Sequence, residues 1–468
     1  MMNPVIFREY DIRGVVGKDF DEDFAYDLGR TYVTFISDRT GNKTPTLSIG
    51  FDARLSSPGI AKALEKGICD SGASVIRLGL VTTPISYFSC FALEIDGAFM
   101  VTGSHNPPEY NGFKISLGKT TIYGDDIQEL RKIMQAKRYL GGKETSLKTP
   151  QGASKDHDIF PAYLARYKEE FKGVFDSPGQ APIKVVLDCG NGAAGCIARK
   201  LFEAVGLKPV ILFEKPDGTF PNHHPDPTVE ENLDAMKAAV LKEKASIGIG
   251  FDGDADRIGV VDENARFILG DEMMVVISRA ILQTNPGAKI IGDVKCSDRL
   301  YKDIAKHGGI GIMWKTGHSL VKAKIKEEKA PFGGELSGHV FFADRNYGYD
   351  DALYAGLRLV EILAKAKKPL SAMLDGLGSA FNTPEIRIDT TEEKKVSIVA
   401  KLRTVFGDGS AERKINLTDG IRVSYADGWA LARASNTQPV LVLRFESSSQ
   451  QGLDRIRGEF ESIVNPLL

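Results

Sequence analysis

The chain has 468 residues, too many for one hydrophobic core, and domains of about 100 to 200 residues imply several units. Its 42% hydrophobic and 26% charged residues are those of a globular protein and exclude the disordered and fibrous classes. Sixty basic against 62 acidic residues leave a net charge of −2, with no basic block or acidic tail, which argues against nucleic acid and anionic membranes as partners.

The N-terminal segment FREYDIRG puts charges at Arg8, Glu9, Asp11 and Arg13, where a signal peptide needs an unbroken apolar run. No apolar stretch approaches the ~18 residues of a membrane-spanning helix. The five cysteines at 69, 90, 189, 196 and 296 have neither disulfide nor zinc-site spacing and read as buried, reduced thiols of a cytoplasmic protein. A first βαβ unit starts at residue 46 (TLSIGFDARLSSPGIAKALEKG). An apolar strand there leads to the helix-period positions Ile60, Leu64 and Ile68 and then to a C-terminal glycine, Gly72. The same plan recurs from 183 (IKVVLDCGNGAAG) to Gly206, and from 289 (KIIGDVKCSDRL) to the pair Gly308 and Gly309. Strands joined by helical crossovers predict mainly parallel sheets covered on both faces, with ligand-facing loops at the strand C-termini. From about 376 the alternating segments EIRID, GIRVSYA, WALARAS and VLVLRFES predict antiparallel strands, with helices over 392–404 and 451–464. The predicted class is α/β: three related βαβ-type domains with mainly parallel, mixed sheets, then a C-terminal α+β domain, around a central cleft. Punctuating segments near 148–156, 265 and 374–384 predict domains 1–150, 151–265, 266–375 and 376–468.

Five polar motifs fall on these elements. In FMVTGSHNPPEYNGFKI (99–115), Ser104 sits in a tight turn that can display its hydroxyl. A hydroxyl is a weak nucleophile, and His105 and Lys114 are near enough in sequence to handle proton or charge. In SIGIGFDGDADRIGVVDE (246–263), a strand runs into Asp252, Asp254 and Asp256. Alternation along an extended loop would converge three carboxylates on one cation, and hard oxygen ligands favour Mg²⁺. Arg257 could offset their charge or reach an anionic substrate. The spacing imitates a Ca²⁺-binding EF-hand loop, but Arg257 stands where that loop requires Gly and the flank is a strand. An aspartate-nucleophile phosphatase is the other reading of Asp-x-Asp after a strand. GGELSGH (333–339) would send Glu335, Ser337 and His339 to one side, as donors and acceptors for vicinal sugar hydroxyls. RASNT (433–437) offers the Arg433 fork with Ser435, Asn436 and Thr437, a set suited to a phosphate dianion. The fifth group joins Tyr10 and Arg13 of FREYDIRG with Lys295 of GDVKCS and with Gly317 and His318 of WKTGHSLVK, at predicted strand ends.

A displayed Ser beside a cation site, an anion loop, a hydroxyl-reading loop and cationic side chains together suit phosphoryl transfer on a sugar phosphate. TGSHNP, DGDADR, GGELSGH and RASNT occur in this order behind FREYDIRG. On these motifs the whole chain resembles the α-D-phosphohexomutases, in their bacterial phosphomannomutase/phosphoglucomutase branch. The resemblance implies three α/β domains and a flexible fourth, a phosphoserine at Ser104, and Mg²⁺ bound by Asp252, Asp254, Asp256 and the group on Ser104. It further implies reversible interconversion of mannose or glucose 1-phosphate and 6-phosphate through a hexose 1,6-bisphosphate, which also acts as activator. Tyr10, Lys295, Gly317, Glu335, Ser337 and His339 would bind the substrate, and Arg433, Ser435, Asn436 and Thr437 its non-reacting phosphate. Lys114, His318 and Arg13 are the proton-handling candidates, with His105 and Arg257 beside the chemistry. Gly103 stands where many members carry Ala, and GGELSGH and RASNT depart from the GGEQSGH and RPSGT of phosphoglucosamine mutases. Glucosamine phosphate is therefore the second substrate reading, and a non-catalytic sugar-phosphate binding protein the alternative outside enzymes. The chain is expected to act as a monomer or a dimer.

Overall fold

The computed structural model describes residues 3–140, 152–175, 183–407, 409, 413–436 and 438–468. Thr437 and part of the expected 148–156 junction lie outside these residues. The chain divides into two compact units, one of 1–269, 337–342 and 349–373, the other of 270–336, 343–348 and 374–468. Among the described residues, no helix is long and apolar enough to cross a membrane.

The first unit holds two sheets. In the first, Thr46–Phe51 lies between Ser74–Leu80 and Gly97–Val101, all parallel, and Gly97–Val101 pairs antiparallel with Tyr110–Leu117. Ile12–Val15 adds to the far side of Tyr110–Leu117, and Ser154–Asp156, from beyond residue 150, lies parallel to Ser74–Leu80. The helix Ser57–Asp70 has Pro in its first turn, and Ile60, Leu64 and Ile68 are buried as their spacing predicts. Each such side chain contributes roughly 2 kcal/mol on burial. Gly72 follows the helix with φ +88°, and Gly206 and Gly308 do the same in the second and third βαβ segments. In the second sheet Val185–Asp188 and Ile247–Phe251 are parallel, and Ile258–Asp262 returns antiparallel beside Ile247–Phe251. That return makes the loop between them, residues 252–257, a reversal held at both ends by a fully buried hairpin.

In the second unit, Lys289–Asp293 lies between Ile310–Trp314 and Phe332–Gly334, all parallel. The C-terminal sheet is antiparallel, with Gly428–Ala434 between Ile421–Tyr425 and Val440–Ser447, covered by the helices Glu392–Phe406 and Gln450–Val464. The strand Lys414–Asn416 extends it beyond the predicted set. Two buried arginines tie this sheet to the turn after the strand Lys289–Asp293. Arg422 donates to Val294 O at 2.5 Å, Cys296 O at 2.7 Å and Asp298 Oδ1 at 2.6 Å. Arg444 bonds Lys295 O, and the Trp429 ring lies 3.6 Å beneath the Arg422 guanidinium.

Candidate active site

The Ser104 loop and the aspartate loop meet within the first unit. Ser104 follows the strand Gly97–Val101 in a left-handed conformation, φ +50°, and is 1% exposed. Its hydroxyl donates to Asp252 Oδ2 at 2.8 Å and lies 3.3 Å from His105 Nδ1. A Cβ on Gly253 would stand 2.3 Å from Ser104 O, so the aspartate loop approaches this closely only because residue 253 has no side chain. The three carboxylates converge, with ligand atoms of Asp252, Asp254 and Asp256 within 4.8 Å of one another and all three buried. They do so around a tight turn with Ala255 at φ +60°, not by alternation along an extended loop.

The oxygens divide their partners. Thr83 donates its hydroxyl to Asp254 Oδ2 at 2.6 Å, Lys114 Nζ lies 3.1 Å from the same oxygen, and Lys114 also bonds Asp256 Oδ2. Asp254 Oδ1 and Asp256 Oδ1 are buried and accept no hydrogen bond. Two acceptor oxygens without a proton donor, beside a third carboxylate, fit a hard divalent cation such as Mg²⁺. Burial, reinforced by Asp254 and Asp256, pushes Asp252 well above the usual carboxylate range. Burial acts the same way on Asp254, but Lys114 and the Thr83 hydroxyl outweigh it and bring that carboxyl below the range. For Lys114 burial works against the charge, and Asp254 and Asp256 overcome it to hold the ammonium protonated. Burial, with Arg257 and Arg13 nearby, lowers His105 well below ordinary imidazole.

Around this centre, Arg13 donates to Asn106 Oδ1 at 2.7 Å and to Asp11 Oδ2 at 2.5 Å, while Tyr10 is buried two residues before Ile12–Val15. Arg257 Nε donates to His339 Nε2 at 2.9 Å, and His339 Nδ1 lies 3.0 Å from Asp350 Oδ2 and 3.8 Å from Asp256 Oδ1. The expected alternation through GGELSGH does not occur. The strand Phe332–Gly334 ends before Glu335, and Gly338 at φ +83° turns the chain, which breaks the two-residue period. His339 accordingly joins the aspartates of the first unit, while Ser337, part-buried, lies in the turn.

The remaining residues gather in the second unit. Glu335 Oε1 accepts the Gly317 N–H at 2.5 Å, and His318, buried, opens the helix His318–Glu328. Lys295 Nζ lies 3.1 Å from Glu385 Oε2, a partner that carries no signal in the sequence. Burial opposes both charges, but the pairing wins, holding Glu385 at about 2 and raising Lys295. Arg433 Nε donates to Asp419 Oδ2 at 3.0 Å, and the same oxygen accepts from Thr316 N at 3.1 Å, so Asp419 ties the Arg433 strand to the loop of Gly317 and His318. Lys395 Nζ bonds Ser435 O at 2.6 Å, and Asn436 is exposed. Asp52, Arg54, Thr83, Asp350, Asp419 and Glu385 were not among the expected site residues. An Asp-x-Arg directly after the strand Thr46–Phe51 was the one signal available for the first two.

Four family profiles match the chain in order: phosphoglucomutase/phosphomannomutase α/β/α domain I over 4–140, domain II over 161–266, domain III over 269–380 and the C-terminal domain over 385–463. The chain belongs to the phosphoglucomutase/phosphomannomutase family, the α-D-phosphohexomutases. It is 43% identical over 460 residues to the phosphomannomutase/phosphoglucomutase of Pseudomonas aeruginosa, covering 98% of this chain and 95% of that one. It is also 41% identical to the phosphoglucomutase of Neisseria gonorrhoeae, over 99% of this chain and 98% of that one. A solved phosphoglucomutase/phosphomannomutase family protein from Burkholderia thailandensis has the same fold with a TM-score of 0.90 and 42% identity, covering 100% of this chain and 98% of that one. The family membership agrees with the expected class of three α/β domains and a C-terminal domain.

Proposed function

We propose that the protein is an isomerase that interconverts hexose 1-phosphate and hexose 6-phosphate, with mannose or glucose as the sugar. The observation that carries this reading is the Ser104 hydroxyl 2.8 Å from Asp252, within a cluster of three buried aspartates. Ser104 is carried as a phosphoserine. A sugar hydroxyl attacks its phosphorus, the P–Oγ bond breaks as the new P–O bond forms, and a hexose 1,6-bisphosphate results. After the sugar reorients, Ser104 Oγ attacks the other phosphate and leaves the isomeric monophosphate. Asp252, Asp254, Asp256 and the Ser104 phosphoryl hold Mg²⁺, which when bound neutralises charge on the phosphoryl oxygens. Lys114, His318 and Arg13 are the candidates for the proton of the attacking hydroxyl, and Arg257 and His105 line the same centre. Glu335, Ser337, His339, Tyr10, Lys295 and Gly317 bind the sugar phosphate, and Arg433, Ser435, Asn436 and Thr437 hold the phosphate that is not reacting. Hexose 1,6-bisphosphate is the activator that restores the phosphoserine, and the four domains follow the boundaries 1–150, 151–265, 266–375 and 376–468. The protein works in the cytoplasm, as a monomer or a dimer.

The test is intact mass with peptide mapping, followed by coupled assays on glucose 1-phosphate and mannose 1-phosphate with Mg²⁺ and a trace of hexose 1,6-bisphosphate. The expected result is phosphoryl on Ser104 and bisphosphate-dependent turnover. In Ser104→Ala turnover falls by at least about 10³-fold while sugar-phosphate binding, read by calorimetry, survives. Phosphate release faster than isomerisation would replace the mutase with a phosphatase, and turnover of glucosamine phosphates alone would move the substrate to the second reading.

A further inference from the structure

One side chain holds the Ser104 loop from behind. Arg54 is 1% exposed, and its guanidinium donates Nη2 to Ser104 O at 2.8 Å and Asn106 O at 2.5 Å, and Nη1 to Pro107 O at 2.5 Å and Tyr110 O at 3.0 Å. Its Nε donates to Asp52 Oδ2 at 3.2 Å. Asp52 extends the grip, since the same oxygen accepts from Thr102 Oγ1 at 2.8 Å and Gly103 N at 3.2 Å. The four carbonyls belong to residues 104 to 110, so one planar cation sets the path of the whole turn. A lysine, with a point charge on a flexible stem, cannot reproduce that fork.

Two further observations show that the loop depends on this contact. Ser104 is held at φ +50°, a conformation that costs a non-glycine residue roughly 1–3 kcal/mol and persists only where its surroundings impose it. A Cβ on Gly103 would stand 2.5 Å from Arg54 Nε and 2.6 Å from Cζ, so in this chain the guanidinium lies directly against the backbone of a residue without a side chain.

We propose that Arg54, packed on Gly103 and oriented by Asp52, is a positioning residue for phosphoryl transfer: it fixes the turn that points Ser104 Oγ at Asp252. This rests on the function proposed above. Among the described residues, Arg54 makes no hydrogen bond to those assigned to the sugar or to the non-reacting phosphate, so its removal acts on transfer and leaves binding in place. A displacement of about 1 Å at a reacting atom costs on the order of 10²-fold in rate, and a loop released from four hydrogen bonds has that freedom. Arg54 also keeps a buried positive charge behind a loop that is to carry a phosphate dianion beside three carboxylates.

The experiment compares wild type, Arg54→Lys, Arg54→Ala and Gly103→Ala in full-length protein. Folding is read by circular dichroism and melting, phosphorylation of Ser104 by intact mass after timed exposure to glucose 1,6-bisphosphate, and kcat and KM in the coupled assay. Expected is a fall of about 10²-fold in kcat and in the rate of Ser104 phosphorylation for both Arg54 variants, and a smaller fall for Gly103→Ala. KM stays within about threefold of wild type, as for an interaction that counts only in the transition state. Guanidinium ion added at millimolar concentration restores part of the Arg54→Ala rate and none of a Ser104→Ala rate. If Arg54→Ala does not fold, Arg54→Lys decides. Wild-type phosphorylation kinetics in Arg54→Lys, or a rise in KM at unchanged kcat, would overturn the proposal. Absence of phosphorylation in the wild type itself would instead sink the mutase reading on which it rests.

Discussion

Thr83 is a residue whose importance only its contacts reveal. It stands 171 positions before Asp254, yet its hydroxyl donates to Asp254 Oδ2 at 2.6 Å and its N–H to Asp254 O at 2.9 Å. The hydroxyl occupies one oxygen and leaves Oδ1 without a hydrogen bond, which would orient the carboxylate toward the proposed cation. Outer hydrogen bonds of this kind are worth about 10–100-fold in metal affinity. Thr83→Val keeps the shape and removes the donor, so Mg²⁺ affinity measured by calorimetry is expected to fall within that range, with circular dichroism unchanged. Affinity equal to wild type would show that the turn alone orients Asp254. Ser104 and the aspartates were legible in the sequence because each sits in a compact polar motif after an apolar strand, and Arg433 because it opens such a motif at a strand's end. Thr83, Arg54 and Asp350 were not, because a lone residue gains meaning only from partners far along the chain.

At the scale of elements, periodicity carried further. The helix with Ile60, Leu64 and Ile68 and the alternating C-terminal strands match their predicted positions, because one buried face imposes period 3.6 or 2. The GGELSGH segment failed, because Gly338 at φ +83° ends the alternation that a polar, glycine-rich stretch only imitates. No periodicity marks the segment 213–229 either, which runs without a helix or strand between Val210–Leu212 and Glu230–Leu233. It is fastened to the strand Val185–Asp188 by His223, whose Nε2 lies 3.1 Å from Asp188 Oδ1 and whose Nδ1 lies 2.9 Å from His224 O. Burial disfavours the imidazolium, but the hydrogen bond and charge of Asp188 outweigh it and raise His223 above its ordinary value. A raised folded value means stability fully present below the unfolded pKa near ~6.5 and lost as pH rises through the folded one. In urea unfolding, His223→Gln should therefore cost about 1 kcal/mol at pH 6 and less at pH 9. A cost that does not change with pH would mean that the pair acts through shape rather than charge.

For the whole molecule, the motifs read in a single line along the chain sort into two units with separate chemistry. Ser104, Lys114, the three aspartates, Arg257 and His339 belong to the first, and Lys295, His318, Glu335 and Arg433 to the second. The sequence showed the order of the motifs but not this division, because His339 follows Glu335 by four residues and only the turn at Gly338 separates their partners. A ligand that binds only the folded state stabilises it by about 2.7 kcal/mol at 100 times its Kd. On the proposed function, Mg²⁺ at the aspartates should thus stabilise through the first unit, and glucose 6-phosphate at Arg433 through the second. Melting curves of wild type, Asp254→Asn and Arg433→Ala separate the two. The Mg²⁺-induced rise in Tm is expected to vanish in Asp254→Asn and survive in Arg433→Ala. The rise induced by glucose 6-phosphate without Mg²⁺ should follow the reverse pattern. Loss of both in Arg433→Ala would mean that the anchor strand is needed to form the cation site, and that the two units do not load independently.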